Sequence, residues 1–212
     1  KILRPYQILI LESTVYPGAT EQLVKLIKNN KLKIGKNFFM GYSPERENPG
    51  DKNFSYKKTP KVVSGFTKNC EILVKNVYSP IVRKIVVAKK VKDAELSKLL
   101  ENMYRAVNIG LVNELKIICE KLKIDIFNVI ELASTKNFGF QKFLPGPGLG
   151  GHCIPIDPYY LSWVSKKHGY EPKFISIAGK INRSIPQWIV KNMLSKLKSK
   201  NLKILILGVS YK

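Results

Sequence analysis

Between Gln7 and Ala88 short apolar runs and helical repeats take turns, and this alternation constrains the fold more than any other feature. Gln7-Ile-Leu-Ile-Leu11 has the length and aliphatic content of a strand buried on both faces. After Pro17-Gly18, Leu23, Val24 and Ile27 recur at helical spacing, with a helix end near Asn29-Asn30. Phe38–Tyr42, Lys61–Ser64 and Lys84–Ala88 read as further strands, with Cys70–Tyr78 helical between the last two. The stretch from Glu45 to Lys58, rich in Asn, Pro, Gly and Asp, reads as a long polar loop. Such alternation predicts a doubly wound α/β arrangement with a parallel sheet.

The opening of such a domain is not in this chain. A dinucleotide-binding sheet begins with strand, G-x-G-x-x-G and helix, so that backbone N–H groups at the helix start meet the pyrophosphate. No such motif occurs in that context, and the glycines from Gly146 to Gly151 follow no strand. Beyond Ala88 the pattern turns helical. Asp93 is a candidate N-cap for a helix to about Lys121, with Leu96, Leu99, Leu100, Met103, Val107, Leu111, Leu115 and Ile118 as its apolar stripe. Asp125–Ser134 reads as a shorter helix, and Phe174–Leu197 as a longer one in which Pro186 marks a break or a fresh start. Lys203-Ile-Leu-Ile-Leu-Gly208 reads as a new strand and turn. The expected architecture is therefore an α/β fragment in three parts. Residues 1–90 form part of a Rossmann-like parallel sheet, 91–200 an all-helical middle domain, and 201–212 the first strand of a second Rossmann-like domain.

Composition excludes some functions. At 212 residues and 44% hydrophobic content the chain can bury a substantial core, and no run has the length and apolarity of a membrane span or a signal peptide. The first residue is Lys1, which fits an internal piece of a longer protein. Cys70, Cys119 and Cys153 form no C-x-x-C pair and no zinc spacing, which suits a reducing cytoplasm and gives no metal site. The net charge of +22 raises nucleic acid as a partner. The lysines, however, are scattered rather than gathered around aromatics, so they read as solvated faces with a field that favours anionic ligands.

One loop carries chemistry. In Pro145-Gly-Pro-Gly-Leu-Gly-Gly-His-Cys-Ile-Pro-Ile-Asp157-Pro-Tyr-Tyr160, glycines and prolines fix a sharp turn and a thiol stands near its end. Asp157-Pro158 reads as an N-cap followed by proline at the first helical position, opening about three turns of helix. A thiol beside a helix N-terminus is biased towards thiolate, and so towards nucleophilicity. Cys70 and Cys119 lie within helical patterns and read as core. His152 adjoins Cys153, but neighbours on a tight turn point apart, which argues against a Cys–His pair.

The run Gly150–Leu161 resembles the catalytic-cysteine loop of the UDP-glucose/GDP-mannose dehydrogenase family. Leu11–Gly18, Gly41–Arg46, Ala94–Asn102 and Val107–Glu114 resemble that family's other motifs, in the same order along the chain. The resemblance implies an oxidoreductase that uses NAD to convert the C6 alcohol of a UDP-sugar to the uronic acid, through a cysteine thiohemiacetal and thioester. It implies Cys153 as nucleophile, Lys98 and Asn102 at the oxyanion, Asp157 near thiol and water, and Glu45 at the catalytic water. Ser13 and Thr14, with Cys153, would line the nicotinamide region. Glu45, Lys98, Asn102, Phe140, Gly148 and Gly150 would contact the sugar nucleotide. It further implies a homodimer through the central helices, with no nucleic-acid or membrane partner.

Two departures bear on the sugar. Where UDP-glucose dehydrogenases typically have lysine before the loop aspartate this chain has Ile156, followed after it by Pro158; where they have a second loop glutamate it has Pro49. Both are as expected for the N-acetylhexosamine branch and argue against UDP-glucose; the overall resemblance is to the bacterial branch that oxidises UDP-N-acetylglucosamine for surface polysaccharides. UDP-N-acetylmannosamine and UDP-glucose are the alternatives, and an inactive remnant serving only for dimerisation is the alternative outside enzymes.

Overall fold

The computed structural model describes residues 3–27, 31–47, 55–151, 156–197 and 203–207. They divide into two compact units, 1–101 and 102–212.

In the first unit β1 (Gln7–Leu11), β2 (Phe38–Tyr42), β3 (Lys61–Gly65) and β4 (Ile85–Val87) pair in chain order. α1 (Ala19–Leu26) links β1 to β2 and α2 (Lys68–Tyr78) links β3 to β4, and both of these pairs are parallel. The middle pair, β2 with β3, is antiparallel, so the sheet is mixed rather than parallel throughout. A parallel return requires a crossover, usually a helix. The 43–60 connection carries no helix among its described residues, and the chain re-enters the sheet reversed.

Side chains alternate across the strands, and each face has its own core. Tyr42 and Val62 pack with Val91 and Ala94 on one face; Val63 packs with Val74, Tyr78 and Val82 on the other. α2 lies so close to the sheet that a Cβ on Gly65 would fall 2.2 Å from the Glu71 backbone nitrogen, which only glycine permits. Cys70, on the side of α2 that meets β2, is fully buried, as its helical pattern predicts.

α3 runs from Val91 to Leu122, three residues earlier than an Asp93 cap predicts, so Asp93 lies in its first turn. The apolar stripe divides. Leu99 is fully buried, whereas Leu100 is 58% and Leu111 52% exposed, with Leu96, Leu115 and Ile118 also exposed. Helical spacing identifies an apolar face but not what covers it.

In the second unit Val112 and Cys119 of α3 pack with Ile126 and Ile130 of α4 (Ile126–Ser134), which Asp125 caps by accepting from the Phe127 N–H at 2.9 Å. α5 (Asp157–Lys167) and α6 (Lys173–Lys196) follow. α6 passes through Pro186 without a break, because one missing N–H costs a single bond that the surrounding packing tolerates. Residues 203–207 form no strand: Ile204 to Leu207 are 56–85% exposed and pair with no described strand, and an isolated strand has nothing to satisfy its backbone groups.

Candidate active site

In the first unit the reversal between β2 and β3 gathers polar groups at one edge of the sheet. β1 and β2 end there and β3 begins there. The loops are tied by Ser43 N–H to Leu11 O (3.0 Å) and Glu45 N–H to Glu12 O (3.2 Å). Lys61, the first residue of β3, is buried and donates to Glu12 Oε1 (3.0 Å) and Pro44 O (3.3 Å). Tyr78 donates to the same Glu12 oxygen at 2.7 Å. Burial acts to raise the Glu12 pKa, but the Tyr78 and Lys61 bonds outweigh it and hold the carboxyl below its ordinary value. Burial first, and then that bond to Glu12, push the Tyr78 phenol up.

Two expected site residues meet at this edge. Lys98 Nζ donates to the Glu45 carbonyl at 2.6 Å and lies 4.0 Å from its carboxylate. The Glu45 carboxyl is raised above its ordinary value, by burial first and with Glu47 acting the same way, against the opposing charge of Lys98. Arg46 pairs with Glu101 and donates to Pro60 O at 3.1 Å, holding the loop after Glu45. Ser13 is exposed and Thr14 half-buried in the loop that leaves β1, and neither hydroxyl is bonded to a described residue. Sequence reasoning gave no role to Glu12, Lys61 and Tyr78, although Glu12 lies in the Leu11–Gly18 motif and Lys61 heads an apolar strand.

The N-terminus of α1 is filled from within. Fully buried Glu95 accepts from the N–H of Gly18 (2.5 Å) and of Thr20 (2.9 Å) and from the Thr20 hydroxyl (2.5 Å). A carboxylate thus occupies the place where a helix start would otherwise meet a phosphate.

In the second unit Asp157 is the first residue of α5 rather than its cap. Ile156 holds the cap position, with no side-chain cap bond. The Asp157 carboxylate is buried and accepts a hydrogen bond from Asn102 Nδ2; the Asn102 carbonyl oxygen in turn accepts from Arg105. Two further expected site residues, Asn102 and Asp157, are therefore together, a pairing the sequence did not predict. Gly148 and Gly150, both at positive φ, lie in the loop before α5, and Phe140 is exposed further back in it. Cys153 and His152 lie outside the described residues, as does Pro49. Among the described residues no three His, Cys, Asp or Glu cluster as metal ligands. No described helix is long and apolar enough to cross a membrane.

Comparison with known proteins gives this geometry a family. Residues 1–82 match the NAD binding domain of the UDP-glucose/GDP-mannose dehydrogenase family, and residues 92–184 match its central domain. The chain belongs to the UDP-glucose/GDP-mannose dehydrogenase family. It is 42% identical to protein CapL of Staphylococcus aureus, over all of this chain and 51% of that protein. It is 38% identical to UDP-N-acetyl-D-glucosamine 6-dehydrogenase of Pseudomonas aeruginosa, over all of this chain and 52% of that one. The solved structure of UDP-D-ManNAc dehydrogenase from Pyrococcus horikoshii superposes with a TM-score of 0.84 at 31% identity, covering 92% of this chain and 46% of that one. The chain thus spans about half the length of the curated relatives it matches.

The residues present fit one end of NAD. The hydroxyls of Ser13 and Thr14, at the carboxyl end of β1 and bonded to no described residue, are free to serve a dinucleotide as donors or acceptors. The start of α1 does not suit the pyrophosphate, since Glu95 already takes the N–H groups of Gly18 and Thr20.

Proposed function

We propose that this chain is the substrate-oxidising portion of an NAD-dependent nucleotide-sugar 6-dehydrogenase acting on UDP-N-acetylglucosamine. One observation carries the reading: Lys98 and Asn102, a helical turn apart on α3, each bond another expected site residue, Glu45 and Asp157 respectively. Residues 1–90 would then complete an NAD-binding domain, 91–200 form the central domain, and 201–212 begin a UDP-binding domain.

NAD, when bound, accepts a hydride in each of the two oxidations from alcohol to acid. The chain's own residues do the rest. After the first oxidation the Cys153 thiolate adds to the C6 aldehyde and gives a thiohemiacetal. The Lys98 ammonium stabilises the oxyanion, with Asn102 as a second donor. Hydride loss leaves a thioester. Water held by Glu45 adds to it, and the thiol departs as the uronate forms. Asp157, fixed by Asn102, sets the electrostatics around the thiol. Phe140, Gly148 and Gly150 line the sugar-nucleotide side, and Ser13 and Thr14 the nicotinamide side.

Ile156 and Pro158 support an N-acetylhexosamine sugar, and the likeness to the Pseudomonas enzyme supports N-acetylglucosamine. The likeness to the Pyrococcus structure favours UDP-N-acetylmannosamine as the second reading. Exposed Leu100, Leu111, Leu115, Ile118 and Leu122 of α3 support a homodimer through this helix. A precursor for surface polysaccharide, made in the cytoplasm, suits a UDP-sugar and NAD.

The test uses the full reading frame with UDP-N-acetylglucosamine, UDP-N-acetylmannosamine and UDP-glucose, and sedimentation of the same preparation to count subunits. Two NADH per UDP-N-acetylglucosamine and a dimeric mass are expected. Turnover only with another sugar would correct the substrate; none with any would overturn the reading.

The raised Glu45 carboxyl gives a pH signature. Glu45 holds water as a base only when ionised, so turnover should fall on the acid side. The midpoint should lie above the roughly 4.3 of a free glutamate. Glu45→Gln should abolish that limb of the profile, leaving a low, flat rate. An unchanged limb in this variant would assign the titration to another group.

A further inference from the structure

The segment Val107–Glu114, family-like yet without a role in the chemistry above, contains a fully buried asparagine, Asn113. We infer that Asn113 of α3 and Asn182 of α6 are positioning residues that fix the loop leading into Cys153. The inference rests on reading Cys153 as the nucleophile.

The two amides form a directed chain. Gly146 N–H donates to Asn113 Oδ1 at 2.9 Å, Asn113 Nδ2 donates to Asn182 Oδ1 at 2.9 Å, and Asn182 Nδ2 donates to the Ala106 carbonyl at 3.0 Å. Both ends are backbone, so the orientation of each amide is set by its neighbours.

Three features of the sequence serve this chain. Gly146 stands between Pro145 and Pro147, neither of which has an N–H. Its amide is therefore the one backbone donor that this tripeptide has, and Asn113 takes it. Gly110 leaves room for Asn182: a Cβ there would press on Asn182 Nδ2 at 3.3 Å and on Ala178 at 3.4 Å. Pro186 gives the Asn182 carbonyl no partner one turn on, and that carbonyl faces the loop, 3.7 Å from where a Cβ on Gly148 would lie. The node thus meets the loop at Gly146 and Gly148, the first of them seven residues ahead of Cys153. Burying two asparagines is costly unless every polar atom is satisfied, and the return here is a fixed starting point for a glycine-rich turn.

The consequence is specific to the second oxidation. A loose loop leaves the aldehyde uncaptured, so it escapes and the yield of NADH per sugar falls below two. General instability lowers the amount of working enzyme but leaves that ratio alone.

The experiment compares Asn113→Ala, Asn113→Asp and Gly146→Pro in the full-length enzyme. Aldehyde is trapped with hydroxylamine, NADH is counted, and amide exchange is followed across Gly148–Gly151. Asn113→Ala removes the acceptor, and Gly146→Pro removes the donor from the loop side without touching the helices. Both should raise trapped aldehyde by about tenfold or more, as loss of positioning does, and expose the loop amides by a similar factor. Asn113→Asp keeps the oxygen that Gly146 uses while opposing Asn182 Oδ1. It should retain the ratio of two although it is less stable, a rescue that a merely structural role does not give. A ratio of two in both disrupting variants overturns the inference, as does aldehyde release that follows stability, with Asn113→Asp among the worst. If Asn113→Ala does not fold, Gly146→Pro decides. If the unaltered enzyme makes no NADH from any UDP-sugar, the dehydrogenase reading fails, and the amide exchange decides the positioning role by itself.

Discussion

Cys153→Ala is expected to lower uronate formation by roughly a thousandfold or more, the scale on which loss of a covalent nucleophile is felt. The first oxidation does not need the thiol, so the variant should still reduce some NAD and release the aldehyde, which a nucleophilic trap collects. Binding of the UDP-sugar should change little, since in the proposed mechanism the thiol acts on the aldehyde and not on the nucleotide. Cys70→Ala and Cys119→Ala are the comparison. Both thiols are buried, Cys70 accepts from the Met40 N–H at 3.5 Å, and their loss should be read in stability rather than in product. Uronate made by Cys153→Ala at the unaltered rate would remove the thioester from the mechanism.

The second large effect concerns stability. Glu95→Ala would leave the N–H groups of Gly18 and Thr20 and the Thr20 hydroxyl without their acceptor in a fully buried site. At about 1–3 kcal/mol for each stranded buried donor, partly recovered by entering water, the loss should be about 3–5 kcal/mol. For a chain of this size that is a fall in melting temperature of about 10 °C. Glu95→Gln keeps one oxygen but turns an amide N–H₂ towards other donors, so it should fall between. Urea titration followed by circular dichroism reads both. A melting temperature for Glu95→Ala within a degree or two of the unaltered protein would mean that α1 is held by its packing alone.

Local pattern made much of this legible in advance. Alternation located the strands and helices of the first unit, and i, i+4 spacing put Lys98 and Asn102 on one face of α3. What sequence could not supply was partnership across distance. Asn102 meets Asp157 fifty-five residues on, and Asn113 meets Asn182 sixty-nine residues on, pairings that no local periodicity encodes. Asp157 misled as a cap because Asp-Pro suits a helix start in more than one register, and only the Asn102 bond decides which. The stripe on α3 misled for a related reason, since spacing does not distinguish a side chain covered by its own chain from one left bare. The antiparallel pairing of β2 with β3 is another case, since the β content of either strand gives no hint of its direction.

The sheet order has a bearing on how quickly this unit can assemble. Among the described residues every pairing joins strands consecutive in the chain, and no paired residues stand further apart in sequence than Gln7 and Phe38. Doubly wound sheets commonly insert a late strand between two early ones, which forces a long loop to close before any contact rewards it. Among these four strands each pairing closes only a short loop, so the chain entropy of bringing them together is lost in short instalments.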